Sequence, residues 1–279
     1  MKENNFMKDL SNNNIVHVKK DGVEYLQFRR LLEYPQVVHA FSLKPLDFAG
    51  NVNYTEKREA VLKDYGAICK ALNIDSNTIC RPNQTHTDVV KVVDSEKPWE
   101  FMEAFQNVDG ATTNQKEKAL MLTYADCTPL LFYDPVKNVI ANTHSGWKGT
   151  VQYIGSKTVE KMVEQYGCQP ADIICCIGPT IRQCHFEVMQ DVKDIFYDAF
   201  KDKLDLSKYI RNGEDGEHFY IDAVGINIEM LKQAGLKEEN IVDSGICDVC
   251  EADTMHSCRV QSPQLGKKFG RNAAIITLI

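Results

Sequence analysis

Short apolar runs broken by polar turns dominate the chain, and helical spacing interrupts them in only a few places. EYLQF, VVHAFS, DVVKVV, ALMLTY, LLFYD, NVIAN, DIICCIG, NIVDS and AAIITLI are rich in β-branched and aromatic residues and end in polar, Gly or Pro positions, which predicts strands. Val61, Tyr65, Ile68 and Leu72 recur at helical spacing, with Thr55 as the expected N-cap and Glu56 favourable to the helix dipole. A second helix is expected from near Thr150, carrying Val151, Ile154, Val159, Met162 and Tyr166 and stopped by Gly167. A third runs through Val192, Ile195, Phe196, Ala199 and Phe200, and Asp222 caps a fourth carrying Val224, Ile228 and Leu231, with Gly235 near its end. The charged stretch 201–218 between these two reads as a surface excursion. With no repeat, low-complexity tract or linker, the pattern predicts a single α+β domain over 15–279 behind a flexible, Asn-rich tail at 1–14.

Composition narrows the partners. The chain has 279 residues, of which 43% are hydrophobic and 25% charged, an ordinary globular balance. A net charge of −7 argues against broad binding of nucleic-acid backbone, which needs a basic face, but leaves room for small anions met by a few local cations. The polar start lacks the apolar core of a signal peptide, and charges interrupt every run before membrane-spanning length. The expectation is a cytoplasmic protein with no membrane partner, in which most of the ten cysteines are reduced. Cys69, Cys80, Cys168, Cys175 and Cys176 are expected in the core, the adjacent Cys175 and Cys176 facing opposite sides of a strand.

Candidate chemistry collects in Thr123 to Thr150. Cys127 follows one apolar run at the break Asp126-Cys127-Thr128-Pro129, and His144 ends a later strand just before Gly146 and Gly149. His86 lies upstream in a loop of hydrogen-bonding residues, QTHTD. A thiolate and two imidazoles are a fair zinc set, and three protein ligands leave a fourth position open for water or substrate. Separations of 41 and 17 positions do not choose that reading over a surface histidine and a core cysteine beside a turn.

ADCTPLLFYDP, THSGWKGT and IGPTIRQCHFEV, in that order, with QTHTDVV and VDGATT upstream, resemble the bacterial purine nucleoside phosphorylase family long known as multicopper polyphenol oxidases, or laccase-domain proteins. The resemblance runs from about Val37 to the C-terminus. It implies a sandwich of β-sheets flanked by helices and a zinc site at His86, Cys127 and His144, with copper as the alternative ion. It also implies phosphorolysis of adenosine and inosine, with adenosine deamination and methylthioadenosine cleavage alongside. The partners it implies are purine nucleosides and phosphate; a homodimer is left open. Lys148, Arg259 and Arg271 lie in or near the matching segments and are the candidate anion contacts. The chain departs from the family at Lys44, at Asp64-Tyr65, and at His256-Ser257-Cys258-Arg259-Val260, where the family has Phe-Ser-Tyr-Arg-Arg.

Two other activities deserve weight. A multicopper oxidase needs many imidazoles, commonly paired as His-x-His; this chain has seven histidines and no such pair. A metal-free hydrolase would use Cys127 as nucleophile and His144 as base. Separately, CDVCEADTMHSC places Cys247, Cys250, His256 and Cys258 together in sequence, a set that could hold a structural zinc or be an unmetallated loop beside the active site.

Overall fold

Burial parity along the apolar runs decides how the layers stack. The computed structural model describes residues 8–50, 58–94, 105–266 and 268–279. Among these, fifteen strands form three sheets. The first six-stranded sheet has the order Ile15–Lys20, Val23–Phe28, Val37–Ser42, Asn272–Leu278, Ala119–Tyr124, Ile79–Cys80. The second runs Ile241–Asp243, Ile174–Ile177, Thr128–Asp134, Val139–Ser145, Gly110–Thr113, Val90–Val92. Glu187–Val188, Phe219–Ile221 and Ile210–Asn212 make the small third sheet.

Leu120, Leu122, Tyr124, Ala274 and Ile276 of the first sheet pack against Leu131, Tyr133, Ile140 and Cys176 of the second. The alternate residues Ala119, Met121, Ala273 and Ile275 face the helix Arg58–Leu72 through Tyr65, Ile68, Cys69 and Leu72. On the far face of the second sheet, Leu130, Phe132, Ala141, Cys175 and Ile177 meet Val159, Met162, Val224 and Leu231 of the helices Ile154–Tyr166 and Ala223–Gln233. Two sheets lie face to face with helices outside, the expected layered α+β sandwich. Being covered on both faces, the central strands are continuously apolar rather than alternating. Cys175 and Cys176 do face opposite layers, and Cys69, Cys80 and Cys168 are buried as well.

Several local features differ from the pattern. The helix expected from Thr150 is two helices, Trp147–Val151 and Ile154–Tyr166, separated at Tyr153, whose φ is 62°. The break has a packing cause: Val151 packs with Phe196 and Phe200 beside the third sheet, whereas Val159 and Met162 belong to the second sheet's outer face. The surface excursion 201–218 is also only partly that. Leu206 is buried, and Ile210–Asn212 pairs antiparallel with Phe219–Ile221. An edge strand needs one side chain inward and tolerates charge elsewhere, so its composition reads as loop.

Caps and tail residues complete the picture. Asp222 accepts the Gly225 N–H at 2.9 Å, and Gly167, at φ 67°, closes the helix before it. The expected cap at Thr55 and Glu56 lies outside the described residues. Of the stretch 1–14, residues 8–14 are described and rest on the domain: Leu10 is buried, and the Asn12 and Asn14 side chains donate to the carbonyls of Ser244 and Asp243 at 2.9 and 2.8 Å. Among the described residues no helix is long and apolar enough to cross a membrane.

Candidate functional site

The chain leaves the first sheet at Tyr124 and enters the second at Thr128, so Ala125, Asp126 and Cys127 must turn between two layers. Asp126 makes that turn in the left-handed region, at φ 81°. Its N–H donates to Asp248 Oδ2 at 2.8 Å, while its carboxylate accepts the Ser257 hydroxyl at 2.6 Å and the Arg259 N–H at 2.5 Å. Burial raises the pKa of both Asp126 and Asp248, the latter well above the carboxylate range with the Asp126 charge adding to it. One turn is thus tied to two distant segments. With both carboxylate oxygens engaged, the task of Asp126 is to hold the turn.

Cys127 hangs from this turn. On the neighbouring strand Pro129 pairs with His144, so the imidazole stands beside the thiol. His86 approaches from the loop at φ 65°, with its Nε2 3.7 Å from Cys127 Sγ. The ligand-capable atoms of His86, Cys127 and His144 all lie within 4.8 Å of one another. The rings of the two histidines meet edge to face, centroids 4.9 Å apart.

Asp109 holds this arrangement and was not singled out from sequence as a site residue. It is fully buried and accepts the N–H groups of Thr85, His86 and Thr87 at 3.1, 3.0 and 2.7 Å, together with the Thr87 hydroxyl at 2.8 Å. Its Oδ1 also lies 2.8 Å from His144 Nδ1. Burial would raise its pKa, but the His144 bond and charge and the Thr87 donors outweigh it and hold the carboxyl down to about 2. A carboxylate on Nδ1 favours the proton there and leaves Nε2 as the acceptor, the way metal-binding histidines are commonly oriented. The available signal was the segment VDGATT, whose aspartate this is.

Burial pushes the Cys127 thiol up, with Asp126 and Asp248 adding to the effect and Arg271 opposing it. Burial also lowers the pKa of His86, helped by the charges of His144, Lys148 and Arg271 and opposed by Asp109. Two of the three donors, Cys127 and His86, are thus pushed by burial toward their neutral forms, and a bound cation would be matched by a thiolate. Gly146 leaves them room. A Cβ there would stand 2.8 Å from His86 Cδ2 and 3.1 Å from Cys127 Sγ, although φ at −67° would accept alanine. Gly146→Ala is therefore expected to fold normally and to weaken zinc binding on the order of 10–100-fold, the penalty typical of disturbing ligand orientation. Competition against a chromophoric chelator measures it; unchanged affinity would mean that the three side chains do not share an ion.

The donors open onto a cavity of about 450 Å³, within the size range of small-ligand sites. Trp147, Phe186, Phe269 and Ile181 give it apolar walls. Arg259 and Arg271 both line it. The Arg259 guanidinium donates to the carbonyls of His185 and Glu187 at 3.2 and 2.9 Å. Arg271 is different: its guanidinium makes no hydrogen bond or ion pair among the described residues, and burial with the nearby Arg81 charge lowers its pKa. Arg81 was not foreseen. Its guanidinium is satisfied by Tyr65 Oη and the carbonyls of Phe48 and Gly50, so it adds field rather than a free donor. Lys148 is exposed and off the cavity wall, its ammonium 5.5 Å from the Trp147 ring centroid.

The positions where this chain departs from the family pattern are largely scaffold. Lys44 donates to the Ala252 carbonyl at 2.5 Å, and Asp64 accepts the Asp47 N–H at 2.9 Å. His256 binds the Leu46 carbonyl through Nε2 at 3.0 Å, away from the other cysteines of its segment. Cys258 lines the main cavity. The metal set Cys247, Cys250, His256 and Cys258 suggested by sequence proximity is therefore corrected. Cys247 and Cys250 are joined in space by Cys184 and His185 instead, because Ser257 caps the helix Cys258–Leu265 and carries Cys258 toward Asp126.

Comparison with other proteins agrees with this picture. Residues 41–279 match the family described as multi-copper polyphenol oxidoreductase laccase. The purine nucleoside phosphorylase YlmD of Bacillus subtilis (strain 168) is 32% identical over 231 residues, covering 81% of this chain and 82% of that protein. A protein named adenosine deaminase RL5, from an unknown prokaryotic organism, is 32% identical over 202 residues, covering 71% and 76%. Among solved structures, the hypothetical protein YfiH of Bacillus licheniformis superimposes with a TM-score of 0.83 at 25% identity, covering 96% of this chain and 100% of that one. The chain belongs to the laccase-domain family, multi-copper polyphenol oxidoreductases by description, to which it is matched over most of its length.

Proposed function

We propose that this chain is a zinc-dependent purine nucleoside enzyme of the cytoplasm that phosphorolyses adenosine and inosine, with methylthioadenosine cleavage and adenosine deamination as further activities. The names of its relatives support purine nucleoside processing in general. The observation that carries the finer reading is the juxtaposition of His86, Cys127 and His144 with Arg271, which has no ion pair among the described residues, around one cavity. The donor set fits zinc: one soft thiol, two imidazoles, a carboxylate behind one ring and a glycine that leaves space. When bound there, zinc would supply Lewis-acid polarisation or water activation.

In phosphorolysis a phosphate oxygen bonds to the anomeric carbon while the bond from that carbon to the purine nitrogen breaks, and its electron pair leaves with the base. The chain's own task is to hold two anionic or polar partners in line. Arg271, whose guanidinium has no hydrogen bond or ion pair among the described residues and lies 5.9 Å from the Phe269 ring centroid, is the phosphate contact, and Arg259 also lines the cavity with its fork partly engaged by carbonyls. The Trp147, Phe186 and Phe269 walls suit the flat face of a purine and exclude water from the bond being broken. Asp109 keeps both histidines in place throughout.

The copper-oxidase reading is weaker on residues. Of the seven histidines, only His86 and His144 share a site: His17 meets Glu24, His39 takes the Phe28 N–H, His218 meets Asp215 and His256 the Leu46 carbonyl. The remaining one, His185, lies among three cysteines. Two imidazoles at one site are too few for a multinuclear copper centre. A metal-free hydrolase needs one base for its nucleophile, whereas here two imidazoles converge on a thiol that burial keeps protonated.

Chelation should abolish phosphate-dependent release of hypoxanthine from inosine, and zinc should restore it. Oxidation of a phenol by copper-loaded protein at rates exceeding nucleoside turnover would favour the oxidase instead.

A further inference from the structure

A second cluster of metal-capable side chains lies outside the cavity. Cys184 and His185 come from the segment after Gly178, and Cys247 and Cys250 from the segment after Gly245. Backbone contacts zip the two segments together, since Thr180 bridges Cys247 and the Asp248 N–H donates to the Thr180 carbonyl at 3.2 Å. All four donor atoms lie within 4.8 Å of one another. Cys184 Sγ is 3.7 Å from Cys247 Sγ and 3.9 Å from Cys250 Sγ. His185 Nδ1 stands 3.2, 3.7 and 3.6 Å from the sulfurs of Cys184, Cys247 and Cys250.

Those edges can be compared with a tetrahedron. With Zn–S near 2.3 Å and Zn–N near 2.0 Å, tetrahedral coordination separates two sulfurs by about 3.8 Å and a sulfur from a nitrogen by about 3.6 Å. The five distances fall around these values. They are also far from the roughly 2.05 Å of a disulfide. We propose that Cys184, His185, Cys247 and Cys250 form a second, structural zinc site of Cys₃His type, separate from the site at His86, Cys127 and His144. Four protein ligands leave no open position, so its role is to hold the fold rather than to bind substrate.

What the ion would hold is the wall of the main cavity. Asp248, between the two cysteines of the turn, accepts the Asp126 N–H, one residue before Cys127. The His185 and Glu187 carbonyls accept from Arg259, and Phe186 between them lines the cavity. Joining the two segments through zinc would fix Phe186, Arg259 and the Asp126 turn relative to one another.

The site is tested by counting and protecting. Zinc-saturated wild-type protein should carry two zinc ions per chain by elemental analysis, and Cys250→Ser and Cys127→Ser should each carry one. Cys184 and Cys250 are exposed, so in intact wild-type protein they should resist alkylation while zinc is bound and react readily after chelation. Cobalt exchanged into Cys127→Ser should show the intense thiolate-to-metal absorption of three sulfurs. One zinc in the wild type and none in Cys127→Ser would overturn the proposal. So would alkylation of Cys184 and Cys250 at equal rates with and without chelator, or a protein mass showing Cys247 and Cys250 oxidised to a disulfide. The alkylation arm uses unmutated protein, so misfolding of a variant cannot decide the result.

Discussion

His86→Ala should lower phosphate-dependent release of hypoxanthine from inosine by about 100- to 1,000-fold while leaving the fold intact. Polarisation by a catalytic metal contributes several kcal/mol to a transition state, and each 1.4 kcal/mol or so is a factor of ten. Losing one of three ligands should forfeit much of that. The substitution is mild structurally, because His86 lies on a loop whose backbone N–H remains bonded to Asp109. Circular dichroism and the unfolding midpoint should match wild type, and zinc content should fall. Unchanged turnover would contradict the site, and unchanged zinc with lost turnover would recast His86 as a group acting directly on substrate.

The second large effect belongs to a residue that touches no substrate. Asp109 is a positioning residue, and Asp109→Asn replaces an acceptor of five hydrogen bonds by a group with only one acceptor oxygen. Either the Thr85–Thr87 loop or the His144 ring then faces an N–H instead of an oxygen. Breaking a buried charged network of this kind costs about 3–5 kcal/mol. Loss of such support for a metal-binding histidine typically weakens the metal by about 10- to 100-fold. Both effects should be visible, as a shift in the denaturant midpoint and as weaker zinc in a chelator competition. Excess zinc should restore part of the turnover, which a purely structural defect would not allow. Full stability in Asp109→Asn would show that the loop is held by something other than this carboxylate.

The layers of the fold were legible because burial writes a period into the chain. Strands such as ALMLTY and AAIITLI are apolar throughout, since both of their faces are covered, and the helix of Tyr65, Ile68 and Leu72 shows its single buried face. Ile210–Asn212 was missed because an edge strand exposes most of its side chains. The single helix expected from Thr150 failed for another reason: spacing cannot reveal that Val151 and Val159 serve different cores.

Legibility of the site follows the same division. Cys127 ends the turn into the strand Thr128–Asp134, which pairs with the strand carrying His144, so two of the donors are near one another in sequence as well as in space. Asp109 is marked only by the segment VDGATT, and Arg81 and Phe269 reach the site or its surroundings through long-range packing with no local signal. The Cys-x-x-Cys turn shows the limit most plainly. Its nearest sequence neighbours, His256 and Cys258, turn to other tasks, and Cys184 and His185 arrive from 62 or more positions upstream.

The most direct test of the nucleoside reading is chromatography of inosine reactions with zinc-loaded protein, run with and without inorganic phosphate. The expected result is hypoxanthine with a sugar phosphate when phosphate is present and almost no base release without it. Equal release in both, with free ribose as the second product, would contradict phosphorolysis and leave Arg271 without its proposed partner.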